Sequence, residues 1–227
     1  MEKSKSTESP PISIRVWDLP TRFFHWLLLA LVTSSFVTGK LGGNWILYHE
    51  WSGEAILTLL LFRVGWGFIG SGPSRFRAFL AAPATVMRYA LAMLRRDTPH
   101  YIGHNPLGGW SVMAMLLVLF IQAGTGLFAN DDIATTGPLY KWISKAASDR
   151  LTSIHRLNQD VIIVLVAIHI AAVLFHLICK RENLITPMIT GIKQWKGDPG
   201  EGTSQQPLWL AALVVAVAAG AVYFLVR

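Results

Sequence analysis

The sequence predicts an all-α integral membrane protein, a four-helix bundle with an additional transmembrane helix at its C-terminal end. Three observations carry that reading. Of 227 residues, 52% are hydrophobic and only 15% are charged, against about 25% charged in soluble domains. The apolar residues gather into five runs, each near the roughly 20 residues that cross a hydrocarbon core. Backbone groups in lipid must bond within their own segment, so each run reads as a helix.

Residues 1–13 are polar and carry no apolar core before Phe23. They read as a flexible cytoplasmic tail rather than a cleavable signal peptide. The spans then follow at Phe23–Leu41, Tyr48–Ile69, Leu107–Phe128, Ile154–Ile178 and Leu208–Val226. Between the second and third, Ser74–Arg96 mixes Phe76, Phe79, Leu80, Leu91 and Leu94 with arginines. Between the third and fourth, Leu139–Arg150 places Leu139, Trp142, Ile143 and Ala146 at helical spacing. Both connections read as amphipathic helices lying along the headgroups. Trp17, Trp26, Trp45, Trp51, Trp110 and Trp195 fall near span ends, as interfacial tryptophans do. Residues 14–196 form the main membrane domain, 197–206 a Gly/Ser/Gln linker, and 207–227 the last helix, which has no histidine.

Charge sets the orientation. The net charge is +7, and the positive residues flank apolar runs, a pattern of membrane topology rather than of nucleic-acid binding. Lys3, Lys5, Arg15, Arg22, Arg75, Arg77, Arg88, Arg95, Arg96, Lys180, Arg181, Lys193 and Lys196 fall on one side. The other side holds Lys40, Lys141, Lys145 and Arg150, offset by Asp131, Asp132 and Asp149. The asymmetry places the N-terminus in the cytoplasm and the C-terminus outside.

Histidines within membrane spans are costly and mark functional sites. His25 begins the first span at its cytoplasmic end, and His49 begins the second at its outer end. His155 and His169 share the fourth span. Their spacing falls about 40° short of four full turns and rises roughly 21 Å, so one helix face presents two imidazoles, one near each side of the bilayer. His49 is level with His155, and His25 with His169. Two bis-imidazole pairs at opposite depths suit two six-coordinate haem irons, sites for electron transfer with no open position. Cys179 is the single cysteine, so Cys-built clusters are excluded, and no C-x-x-C-H motif exists, so any haem is held non-covalently.

Other residues fit around these pairs. Arg63 follows His49 by the same four-turn interval and sits at the depth of the inner haem. It reads either as a partner for a haem propionate or as an arginine snorkelling to headgroups. Gly53, one turn after His49, and Gly124 and Gly126 in the third span let a porphyrin approach the backbone; glycine also serves helix packing in membranes. His176 lies near the inner headgroups on nearly the face of His169, as an alternative ligand or a contact for propionate or quinone. His104, in IGHNPLGG, reads as part of a helix start, and His100 as solvated. Gln122, Thr125 and Asn130 read as quinone contacts or helix bridges.

The runs VWDLPTRFFHW, YHEWSG, YIGHNPLGG and SIHRLNQDVIIVLVAIH resemble the bacterial cytochrome b561 family, which includes the b-type cytochrome subunit of nickel–iron hydrogenases. The resemblance covers about residues 14–196, with IGHNPLGG and HRLNQ nearer the hydrogenase branch. It implies a four-helix dihaem cytochrome of the bacterial inner membrane, carrying electrons between the quinone pool and a periplasmic partner. That partner would be a c-type cytochrome or a hydrogenase module. It further implies two haems b, with His25 and His169 on the cytoplasmic-side haem and His49 and His155 on the periplasmic-side haem. The fifth span, Leu208–Val226, departs from the family pattern, and a homodimer is compatible with the reading. Rival classes are a proton-relay transporter, which needs carboxylates within the spans where Glu54 is the clear candidate, a haem chaperone or sensor, and a cofactor-free anchor.

Overall fold

The computed structural model describes residues 11–93, 99–198 and 204–227. The first ten residues of the expected tail, then Leu94, Arg95 and Arg96, and 199–203 of the expected linker lie outside the described residues. In chain order the elements are β1 Ile12–Arg15, α1 Leu19–Leu41, α2 Ile46–Ile69, α3 Phe76–Phe79, α4 Pro83–Met93 and α5 Pro106–Gly126. They continue with α6 Lys145–Ile178, α7 Ile185–Thr190, β2 Ile192–Trp195 and α8 Leu208–Val226. Five of the helices, α1, α2, α5, α6 and α8, are long and apolar enough to cross a membrane.

Asp18 sets the start of α1. Its Oδ1 accepts the backbone N–H of Thr21 at 2.8 Å, and Pro20 occupies the first turn, where a missing N–H costs nothing. Its Oδ2 accepts the indole N–H of Trp66 at 2.9 Å, so the cap of α1 is also tied to the end of α2. Asp18 is 3% exposed and Trp66 fully buried. A bond between the hydroxyls of Thr21 and Ser74, 2.7 Å long, closes the same corner.

The two connections do not form the single amphipathic helices that their patterns predict. After α2 the chain makes a 3-10 turn at Gly72–Ser74 and then breaks between α3 and α4. Pro83 opens α4, and a proline disfavours helical backbone in the residue before it. On the other side, Tyr140–Trp142 is a 3-10 turn, Ile143 is extended, and Ser144 caps α6 through the N–H of Ala147. Lys145–Arg150 therefore begins the fourth span itself. Asn130 explains why: its side chain donates to Ser148 and Asp149, and its backbone N–H to Thr152, which fastens the first turns of α6 to the loop after α5. At 34 residues, α6 is roughly 50 Å long, well beyond the hydrocarbon thickness.

A short antiparallel ribbon adds to the predicted elements. Ile12 pairs with Trp195 and Arg15 with Ile192, so Ile12 and Ser13 belong to a strand rather than to a tail. Gly191, at φ +83°, makes the left-handed turn from α7 into β2, and its carbonyl accepts the N–H of Val16 at 2.8 Å. Ile14, Val16 and Trp17 pack beneath the ribbon against Ile102 and Met188.

α2 is the centre of the bundle. Its buried Ile56, Leu59, Leu60, Phe62 and Trp66 meet Phe24 of α1, Leu116 and Leu119 of α5, and Ala211 and Ala218 of α8. Gly65 lets α8 approach, since a Cβ there would stand 2.9 Å from the Val214 side chain. Backbones pack closely between α1 and α2, α2 and α5, α2 and α8, and α5 and α6. Among these helices, α6 makes no comparable backbone approach to α1 or α2. A slot therefore separates α6 from the α1–α2 pair.

Replacing Asp18 with alanine removes the cap and leaves a buried indole N–H unpaired. The expected loss is about 2–4 kcal/mol of stability, read as a lowered unfolding temperature of the detergent-purified protein. Asp18→Asn should lose less, because it retains a capping oxygen.

Candidate functional site

The four predicted histidines meet as two pairs across the slot. His49 of α2 faces His155 of α6 with ring centres 6.0 Å apart and planes at 84°. His25 of α1 faces His169 of α6 with centres 6.4 Å apart and planes at 50°. The first pair lies at the far end of the bundle from β1, the second at the near end. All four residues are half-buried.

The far pair is held in one tautomer by its neighbours. His49 Nδ1 lies 2.8 Å from the Ser35 carbonyl, and His155 Nδ1 lies 2.9 Å from the Gln122 carbonyl. A carbonyl only accepts, so each Nδ1 carries the proton and each Nε2 presents a lone pair. Asn158 fixes Gln122 by donating to its Oε1 at 2.7 Å, which turns the Gln122 amide nitrogen toward His155 Nε2 at 3.1 Å. The polar residues expected to contact quinone or bridge helices thus have definite tasks. Gln122 and Thr125 address His155, while Asn130 anchors α6.

A Cβ on Gly53 or Gly124 would meet nothing within 4 Å, so each leaves open space beside the backbone. The close approaches are at Gly39 and Gly126, where a Cβ would stand 2.8 Å from the His49 ring and 3.0 Å from the His155 ring. Gly39 was missed, yet a signal was present. It follows His25 by about four helical turns, the interval that also relates His49 to Arg63 and His155 to His169.

At the near end, several buried side-chain nitrogens have no partner. Arg63 is 3% exposed, which does not fit snorkelling to headgroups. Its guanidinium lies 5.0 Å from the centre of the Phe76 ring, it makes no ion pair among the described residues, and its Nη1 has no hydrogen-bond partner. His25 Nδ1, His104 Nδ1 and Arg22 Nε are also buried without partners. His104 does not cap α5. Asn105 does so, accepting the Gly108 N–H at 2.8 Å. The His104 ring instead sits 4.8 Å from Trp17 and 4.9 Å from Phe79. Burial, reinforced by Arg63 and the nearby histidines, pushes its pKa down to about 3, so it stays neutral. His176 is buried and faces Glu182 rather than solvent, while His100 is exposed.

These residues fit an iron porphyrin. Metal–nitrogen bonds of about 2 Å put two axial imidazole centres roughly 6 Å apart, the separation found in both pairs. No cluster of three or more His, Cys, Asp or Glu exists among the described residues to hold a bare metal ion. A porphyrin supplies four equatorial nitrogens, so two histidines suffice. A propionate would accept from the unpartnered donors at the near end.

The family model for prokaryotic cytochrome b561 matches residues 16–191. The chain belongs to that family. It is therefore a multi-pass membrane b-type cytochrome that binds haem b. Among its curated relatives is a "Probable Ni/Fe-hydrogenase B-type cytochrome subunit" of Rhizobium leguminosarum bv. viciae, 25% identical over 81% of this chain and 90% of the relative. A like-named protein of Rhodobacter capsulatus is 23% identical over 82% and 83%. The "Probable Ni/Fe-hydrogenase 1 B-type cytochrome subunit" of Escherichia coli strain K12 is 24% identical over 82% and 92%. No solved structure matches this cytochrome.

Gly39→Val should drive the His49 ring out of line and lower the haem-to-protein ratio of the purified cytochrome. Gly220→Val on α8, where a Cβ meets nothing within 4 Å, should leave that ratio unchanged.

Proposed function

We propose that this cytochrome carries two haems b across the bacterial inner membrane, one held by His49 and His155 and the other by His25 and His169. The observation that supports this best is the matched pair of ring separations, 6.0 and 6.4 Å, at opposite ends of α6. An iron held by two imidazoles cycles between ferric and ferrous states with no coordination site left for oxygen or substrate. The chain's own contribution is to fix those imidazoles. The Ser35 and Gln122 carbonyls orient the far rings and raise their basicity, as acceptors behind a metal-bound histidine do. Arg63, buried and unpaired, takes a propionate of the near haem.

The near end, with most of the Lys and Arg residues, lies in the cytoplasm, so the far pair faces the periplasm. Electrons pass between the quinone pool and a periplasmic partner. The names of the relatives favour a nickel–iron hydrogenase module in that place over a c-type cytochrome.

Reduced-minus-oxidised spectra with haem quantitation test the reading. The wild-type protein should carry about two low-spin b haems per chain. His155→Ala and His169→Ala should each remove a different one. A folded, purified protein with no haem would leave the transporter or anchor classes standing.

Arg63→Leu should shift the near haem's redox titration and leave the far haem's unchanged. Identical titrations for both haems would exclude the propionate contact.

A further inference from the structure

His176 has no role in either imidazole pair, yet it is 6% exposed on the face of α6 that carries His169. The two lie about 20° short of two turns apart and roughly 10 Å along the axis. The His176 Nδ1 lies 3.1 Å from Glu182 Oε2, and a carboxylate only accepts, so Nδ1 carries the proton. Glu182 is the centre of a partly buried group. Lys193 of β2 donates to its Oε1 at 2.9 Å and to the Tyr101 carbonyl at 2.7 Å. His100 Nδ1 stands 3.8 Å from the same Oε1, with its side chain 69% exposed. Tyr89 of α4 packs against Tyr101, and Lys180 lies over the Phe175 ring.

These groups do not titrate alike. The hydrogen bond from His176, with the bond and charge of Lys193, holds Glu182 at about 2 against the opposing effect of burial. Burial, with Glu182 and Tyr101, pushes the Tyr89 phenol up to about 12. Glu182 therefore stays an anion and Tyr89 a neutral phenol near pH 7.

Resting on the reading that His25 and His169 hold the near haem, we propose that His176 is a redox-linked base, which takes up a proton when an electron arrives at that haem. Glu182 is its anionic support, and His100 opens the cluster to the aqueous phase. For each electron gained at the haem from a quinol or protein reductant, one aqueous proton forms an N–H bond at His176 Nε2, and nothing leaves. The proton offsets the added negative charge in a region of low dielectric. Glu182 stabilises the imidazolium, while Lys193 keeps the cluster from holding the proton permanently. A purely structural staple between α6, β2 and residues 99–105 would have the same bonds. It would not alter the pH response of a haem.

Spectroelectrochemical titration of the whole protein in detergent, from roughly pH 5 to 8, separates the two. In the wild type the ferrous-to-ferric ratio of the near haem, at fixed potential, should change by up to tenfold per pH unit within that range. The far haem is the internal control and should not show this dependence. His176→Gln should flatten the near-haem response with both haems retained. Glu182→Gln should move it to lower pH, because the imidazolium loses its anionic neighbour. An unchanged pH response in His176→Gln overturns the proposal, as does loss of the near haem in that variant, which would make His176 a ligand or propionate contact. If His176→Gln does not assemble, an unmoved response in Glu182→Gln overturns it instead. A wild-type protein lacking a second haem removes the dihaem reading and this proposal together, and is distinguished by the haem count.

Discussion

A polar ring inside a membrane bundle must find partners within the protein, because lipid offers none. That constraint organises this molecule around α6. It brings His155 to His49 and His169 to His25, at two depths, while its backbone packs closely on α5 alone among the α1, α2 and α5 helices. On its other side the imidazoles reach across to α1 and α2. A bundle that kept the histidines but closed that slot would leave their nitrogens facing hydrocarbon.

The two ends of the slot solve the polar problem differently. At the far end every anchor is a neutral hydrogen bond: carbonyls of α1 and α5 take the Nδ1 protons, and Asn158 steadies Gln122. At the near end, buried nitrogens, the Arg63 Nη1 and Arg22 Nε donors among them, have no partner. Asp18 accepts from the Thr21 N–H and the Trp66 indole, and it makes no ion pair with Arg63 among the described residues. An anionic group belongs beside such donors. The fifth helix serves a different purpose. It covers the flank of α2 through small residues and Gly65, and adds no titratable group to the slot.

Much of this was legible before folding. The five spans lie within a few residues of their observed bounds except α6, whose extra first turns depend on Asn130, a residue of the preceding loop. The interval of about four helical turns was the richest signal, since it relates His155 to His169, His49 to Arg63, and, unnoticed, His25 to Gly39. The amphipathic connections misled because hydrophobic spacing does not register a backbone break. Pro83 and the Ser144 cap stop helices that the apolar pattern alone would continue. The β1–β2 ribbon joins the segment before α1 to the segment after α7, a pairing that no local periodicity encodes.

By itself, then, the sequence determined which helices are long and apolar enough to cross, the faces that carry histidine and the end of the bundle at which each ring lies, because these follow from hydrophobic length and from a helix repeat that every residue obeys. Only the tertiary structure decided which nitrogen of each far ring carries the proton, which glycines touch imidazole, that His104 packs against Trp17 and Phe79 rather than capping, and that His176 faces Glu182. Those are properties of partners on other helices. A residue's helix position sets the direction in which it points, while its neighbours set what it meets there.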